Sequence, residues 1–221
     1  MKVTPYQFAL VGMPGKGKTM ALRNLDPETT GFVNMENKPL PFINNFKHYS
    51  TPNNWQECYQ KLIEYAKDDT IELVVLDSLS AYFDSLHKTA HETKKGFDIW
   101  NYFNEEVGKL LFMIKKYPKH IVVTAHYDWV ETERGAEEKR MYVPGGKWKG
   151  KVEKEFTIVH FTEMNIVDDK RNYYIILNSD GYNSAKTPPV FLDDPESMSM
   201  DTIPNDYAEF VKKVNEKLSN K

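Results

Sequence analysis

Residues 12–19 read Gly12-Met13-Pro14-Gly15-Lys16-Gly17-Lys18-Thr19. The stretch fits G-x-x-x-x-G-K-[ST], and its flanks decide what the match means. Before it, Tyr6-Gln7-Phe8-Ala9-Leu10-Val11 is short, apolar and β-prone, which predicts a buried strand. After it, Met20-Ala21-Leu22-Arg23-Asn24-Leu25 is built of good helix formers, and Asp26-Pro27 stops that helix. Strand, glycine loop, helix is the context of a phosphate-binding loop. Gly12, Gly15 and Gly17 let the backbone curl so that its N–H groups face phosphate oxygens. A helix N-terminus would add partial positive charge. Lys18 would reach the β- and γ-phosphates and Thr19 would hold Mg²⁺. The expected cradle comprises Gly12, Pro14, Gly15, Lys16, Gly17, Lys18, Thr19 and Met20.

Working outward, 221 residues are enough for one α/β domain with a full core, and a single domain over 1–221 is expected. A net charge of −3 rules out a uniformly basic surface, so any polyanion site must be a local patch. Cys58 is the only cysteine, which excludes a disulfide within the chain and fits a reducing compartment. The N-terminus lacks the apolar core of a signal peptide, and no apolar run approaches a membrane span. A cytoplasmic protein, with no membrane partner, is expected.

Three further apolar runs read as strands. Residues 31–35 end at Glu36, residues 71–76 at Asp77-Ser78, and residues 120–125 at His126. Helical patterns separate them, at 55–67 with Leu62, Ile63 and Ala66, and at 99–116 with Trp100, Phe103, Val107, Leu110, Leu111 and Ile114. Alternating strands and helices predict a mostly parallel sheet, whose ligands bind beyond the carboxyl ends of its strands. Those ends deliver the glycine loop, two carboxylates and an imidazole. Asp77 is the Walker B candidate, a Mg²⁺ ligand, with helix capping as its alternative. Glu36 is the candidate general base toward a γ-phosphate, or else a solvated loop glutamate. His126 either reads the γ-phosphate state or is a satisfied strand-end histidine.

With these residues in hand, the chain resembles the RecA-like P-loop ATPases. More narrowly it is similar to small phage-encoded RecA-core ATPases of single-strand annealing and recombination. The resemblance covers most of residues 6–190. It rests on GMPGKGKT, Glu36 after the second predicted strand, LVVLDS at 73–78, Thr124-Ala125-His126, and Ala185-Lys186-Thr187. It implies ATP and Mg²⁺ as cofactors, hydrolysis, single-stranded DNA, and a ring or filament of identical subunits. A single-strand-binding or other recombination protein would be a further partner, and host cytoplasm the setting if the chain is phage-encoded. It also nominates Lys186 to reach a neighbour's nucleotide, against the plainer reading of a loop lysine. Clamp-loader and unfoldase ATPases usually carry a glutamate beside the Walker B aspartate. Ser78 stands there instead, which points to the RecA-like branch. Small-molecule kinases use arginine-rich lids, and arginine occurs only at Arg23, Arg134, Arg140 and Arg171.

Residues 139–151 hold Lys139, Arg140, Lys147, Lys149 and Lys151 without an acid, and interleave Tyr142 and Trp148. Gly145-Gly146 and Gly150 predict flexibility. Basic groups that track a phosphate backbone, with aromatics such as Trp148 that stack on bases, make a single-strand interface. Five phosphate contacts would give a salt slope of about −3.5, or roughly 100-fold weaker binding from 50 to 200 mM salt. The acids Glu131, Glu133, Glu137 and Glu138 nearby keep a merely solvated loop as the alternative to DNA. Residues 86–96 read as a polar connection. His87 and His91 are four apart, yet no cysteine or further histidine stands near them, so zinc is rejected. Residues 155–162 and 172–177 predict an antiparallel hairpin at the sheet edge, turning at 168–171. A helix over 205–218 carries an apolar stripe of Tyr207, Phe210, Val211, Val214 and Leu218. No base-reading motif separates ATP from GTP. The reading is an ATPase acting on single-stranded DNA. A nucleotide switch for a protein partner and a P-loop kinase are its rivals.

Overall fold

The computed structural model describes residues 5–132, 135–193 and 202–219. Its centre is an eight-stranded sheet in the order β10-β9-β8-β1-β5-β4-β2-β3. In chain order the strands are β1 (Gln7–Val11), β2 (Thr30–Asn34), β3 (His48–Ser50), β4 (Leu73–Asp77), β5 (His120–Ala125), β8 (Ile158–Val167), β9 (Lys170–Ile176) and β10 (Thr202–Pro204). The six from β3 through β8 run parallel, while β9 and β10 alternate in direction. A separate antiparallel pair, β6 (Tyr127–Glu131) and β7 (Glu137–Met141), follows β5 directly.

Burial on both faces explains the unbroken apolar runs. Ala9 and Val11 of β1 belong to a core with α1 (Trp55–Lys67), α2 (Leu79–Thr93) and α3 (Asp98–Lys115). Phe8 and Leu10 belong to an opposite core with α4 (Tyr207–Ser219). Tyr207, Phe210, Val211 and Val214 of α4 are buried there, each contributing about 1.5–3 kcal/mol by transfer. The terminal stripe therefore packs on its own core. Asp168 and Asp169, both at positive φ, make the two-residue turn of the β8–β9 hairpin. No helix among the described residues is long and apolar enough to cross a membrane.

Four expectations need correction. The helix expected over 20–25 is a single 3₁₀ turn, Thr19–Leu22, because the chain must enter β2 soon after Pro27. The polar connection at 86–96 is mostly the second half of α2. Ser78 caps it by accepting from Ala81 N at 3.2 Å, and Tyr82, Phe83, Leu86 and Ala90 bury one side. The three-residue edge strand β3 carries too little pattern to be predicted. The basic loop begins as strand β7. Residues 191–204 read in sequence as a proline- and aspartate-rich connection; 194–201 lie outside the described residues, and 202–204 form the edge strand β10.

His160 of β8 is fully buried against α4. The Thr187 hydroxyl donates to Leu177 O at 2.8 Å, so His160 Nε2–H donates to Thr187 Oγ1 at 2.8 Å. Nδ1 then accepts from Tyr207 Oη at 3.1 Å. Burial pulls its pKa down to about 3. The unfolded chain takes up this proton near pH 6.5 and the folded chain does not. This contribution is thus complete above about pH 6.5 and lost as pH falls toward 3, at up to about 1.4 kcal/mol per pH unit. His160→Gln is expected to flatten that stretch of the stability–pH curve by about one proton. Urea unfolding at pH 7 and pH 5 measures it.

Candidate nucleotide site

The loop after β1 is shaped by what surrounds it. Gly12 N donates to Ala125 O at 3.0 Å, tying the loop to the end of β5. A Cβ on Gly12 would lie 2.2 Å from Thr162 Oγ1, so no side chain fits there. Gly17 has φ +85°, and a Cβ there would meet Asn205 and Tyr173. The single turn after the loop leaves little macrodipole, so the anion cradle depends on loop N–H groups and on Lys18.

Lys18 is 7% exposed. Its Nζ donates to Met13 O at 3.2 Å and faces His126 Nδ1 at 3.4 Å. Among the described residues it touches no carboxylate. Burial is the main influence and lowers its pKa; Asp77 and Glu36 pull the other way. A buried ammonium in that state is poised for an anion.

Asp77 ends β4, 3% exposed. Its Oδ2 accepts from Thr19 Oγ1 at 2.9 Å, and its Oδ1 accepts from Thr124. Burial raises its pKa above the usual carboxylate range, against the Thr124 hydrogen bond. Ser78, not Asp77, caps α2. Glu36, just past β2, accepts from Ser78 Oγ at 3.1 Å through Oε1 and from Lys38 at 3.4 Å through Oε2. His126 Nε2 lies 4.0 Å from Glu36, and its Nδ1 lies 3.2 Å from Gly12 O. Burial, then Lys18, holds His126 below the usual imidazole range.

Lys18, Thr19, Glu36 and His126 share one cleft of about 470 Å³, walled also by Gly15 and Tyr173, and Asp77 adjoins it through Thr19. Its contents fit a nucleoside triphosphate and Mg²⁺. The uncompensated Lys18 ammonium suits phosphate, and the adjoining Thr19 and Asp77 oxygens are hard donors of the kind Mg²⁺ takes.

A family profile described as an AAA domain matches residues 4–188. The chain belongs to this family. This AAA-domain chain is also similar in structure to a KaiC-like protein from the hyperthermophilic archaeon Pyrococcus horikoshii OT3. The TM-score is 0.51 over 90% of this chain and 84% of that one, at 15% identity, a likeness of fold alone. No curated protein matches. Family and sheet together make this a RecA-fold P-loop ATPase domain, with β5 between the loop strand β1 and the Asp77 strand β4.

The AAA domain treats the residues nominated for DNA differently. Lys139 and Arg140 sit in β7, where Lys139 pairs with Glu163 at 2.5 Å and Arg140 with Glu138 at 2.6 Å. Trp148 lies against Gly108 of α3 and donates from Nε1 to Asn104 O at 3.2 Å, so it is not a free stacking platform. Tyr142 donates to Asp84 at 2.8 Å. Lys147, Lys149 and Lys151 remain exposed. Residues 142–151 thus strap α2 and α3 instead of hanging free. Lys186 exchanges backbone hydrogen bonds with Val159, which is in register with Ala9, three residues before the phosphate loop. Its neighbours in charge are Glu153 and Glu155. Glu133 and Arg134 lie outside the described residues.

Sequence reasoning missed Tyr173, Asn205, Lys38 and Pro41 of the cleft wall. Asn205 donates to Gly17 O at 3.1 Å and accepts from Arg23 at 2.6 Å through its own carbonyl. Both Tyr173 and Asn205 arrive on the β9–β10 side, opposite Glu36 and Asp77, and no local motif marks them.

Proposed function

We propose that this AAA-domain protein binds and hydrolyses ATP with Mg²⁺, and works on single-stranded DNA as an oligomer. One observation carries the ATPase reading. Thr19 and Asp77 adjoin within hydrogen-bond distance while Glu36, held by Ser78, faces the same cleft as buried Lys18. Bound Mg²⁺ would supply electrostatic stabilisation of phosphate charge. Lys18 binds the β- and γ-phosphates, and Thr19 and Asp77 hold the metal. Glu36 orients and deprotonates water, as in other phosphoryl-transfer sites. His126, in contact with Lys18 and one residue before β6, conveys nucleotide state to the hairpin.

The DNA reading rests on the resemblance and on Lys147, Lys149 and Lys151. Three phosphate contacts predict a single-strand salt slope of about −2, or roughly 20-fold weaker binding from 50 to 200 mM salt. Modest affinity per subunit then calls for several subunits on one strand. Steady-state hydrolysis with and without single-stranded DNA at both salts is the test. Stimulation that fades with salt is expected. Lys147→Ala with Lys149→Ala should lower DNA affinity by several-fold and leave basal hydrolysis unchanged.

A second reading has its own support. The strands of the β6–β7 hairpin carry Asp128, Glu131, Glu137 and Glu138, and their two cations, Lys139 and Arg140, are ion-paired, while Trp129 is 49% exposed. That surface suits a protein better than a polyanion, and fits a nucleotide switch. Hydrolysis indifferent to DNA at every salt selects it.

A further inference from the structure

Glu163 has no part in the ATPase chemistry above, yet it joins the phosphate loop to the β6–β7 hairpin. It lies on β8 in register with Tyr174, its side chain 13% exposed. Oε2 holds Lys16 of the phosphate loop at 3.1 Å, and Oε1 holds Lys139 of β7 at 2.5 Å. The Lys139 ammonium in turn lies 5.1 Å from the Tyr127 ring centroid and 5.6 Å from that of Trp129. One carboxylate therefore shares itself between the nucleotide loop and an aromatic hairpin. Lys139 N also donates to Tyr182 O at 2.8 Å, so the backbone of β7 is anchored while its side chain is set by charge.

We propose that Glu163 is a positioning residue that couples occupancy of the phosphate loop to the β6–β7 hairpin, by exchanging Lys16 for a fuller hold on Lys139. The proposal rests on the ATP reading. Lys16 lies between Gly15 and Gly17, both at positive φ, in the loop that receives the phosphates. A bound triphosphate brings several negative charges beside it. They compete with Glu163 for the Lys16 ammonium and repel the Glu163 carboxylate. Glu163 is left with Lys139 alone, which shifts the ammonium over Tyr127 and Trp129. Two cations on one anion make this exchange inexpensive, because the carboxylate is never left unpaired. Burial opposes its ionised form, and the two lysines together outweigh burial in the unliganded protein.

The coupling has a reciprocal consequence. If ATP must break the Lys16–Glu163 pair, removing the charge of Glu163 should help ATP bind. Glu163→Gln is expected to bind ATP two- to fivefold more tightly, the range of a partly exposed ion pair. A residue that merely props up the loop would weaken binding instead. The second readout is Trp129 emission, isolated as the difference between the parent chain and its Trp129→Phe variant with and without saturating ATP and Mg²⁺. The wild type should show an ATP-dependent change, and Glu163→Gln should lose it. Lys139→Met, which keeps the Lys16–Glu163 pair but leaves Glu163 unpaired once ATP takes Lys16, should lose the change and bind ATP about two- to fivefold more weakly than wild type. A Trp129 change that persists in Glu163→Gln, or is missing in wild type at calorimetric saturation, overturns the coupling alone. Weaker binding by Glu163→Gln also overturns it. No calorimetric ATP binding by the wild type would overturn the nucleotide reading, and the coupling with it.

Discussion

Lys18→Ala is expected to abolish tight ATP binding, the largest effect of any single substitution in this chain. Lys18 is a buried ammonium with a carbonyl and an imidazole for company and no carboxylate in contact among the described residues. Phosphate would supply the missing counter-charge to this buried ammonium, and charge-assisted hydrogen bonds are the strong ones. Deleting one partner of such a pair costs about 3–5 kcal/mol, or roughly 150- to 5,000-fold in Kd. Stability should respond differently. In the unliganded protein the ammonium is desolvated at a cost and poorly compensated, so removing it should leave Tm level or raise it. Calorimetric titration with ATP and Mg²⁺, beside thermal unfolding without them, checks both halves. Unchanged affinity would mean that the triphosphate is not held by this loop. Lost affinity with a collapsed Tm would mean that Lys18 is structural.

Glu36→Gln is expected to keep ATP binding and slow hydrolysis by about a hundredfold or more. Glutamine preserves an oxygen that can accept from Ser78, now at 3.1 Å, so the side chain keeps its anchor. What it loses is the ability to take a proton from water. It also loses a negative charge beside the phosphate site, so Kd should hold or tighten. Single-turnover hydrolysis separates chemistry from binding and release. Normal turnover in Glu36→Gln would remove Glu36 from the role of base. Asp77 would not inherit it readily, because both its oxygens are engaged by Thr19 and Thr124.

Much of this site was legible because its parts are short-range. Val11 through Thr19, the run into Asp77, and the run into His126 each carry a strand and its terminal group in a few consecutive residues. Parallel pairing then places those ends on one rim without further information. The β8–β9 hairpin was readable for the same reason, since Asp168-Asp169 makes its turn locally. The single turn after Thr19 was misread as a helix because propensity ignores how soon the chain must return to the sheet.

The residues from 139 to 151 show where such reading stops. Lysines, glycines and a tryptophan in sequence describe a loop open to nucleic acid. Whether Trp148 is free depends on Gly108, forty positions away, which leaves a flat place on α3 for the indole. Whether Lys139 is free depends on Glu163 across the β7–β8 gap. Tyr173 and Asn205 join the cleft only because β9 and α4 are drawn beside β8 and the phosphate loop. The order of residues along the chain settles the phosphate loop, the strand ends and the fold class, because backbone propensity and hydrophobic period act over a few residues. Which charges are neutralised, which rings are covered and which walls close the cleft are settled by contacts between distant segments. Those depend on packing geometry that no local pattern encodes.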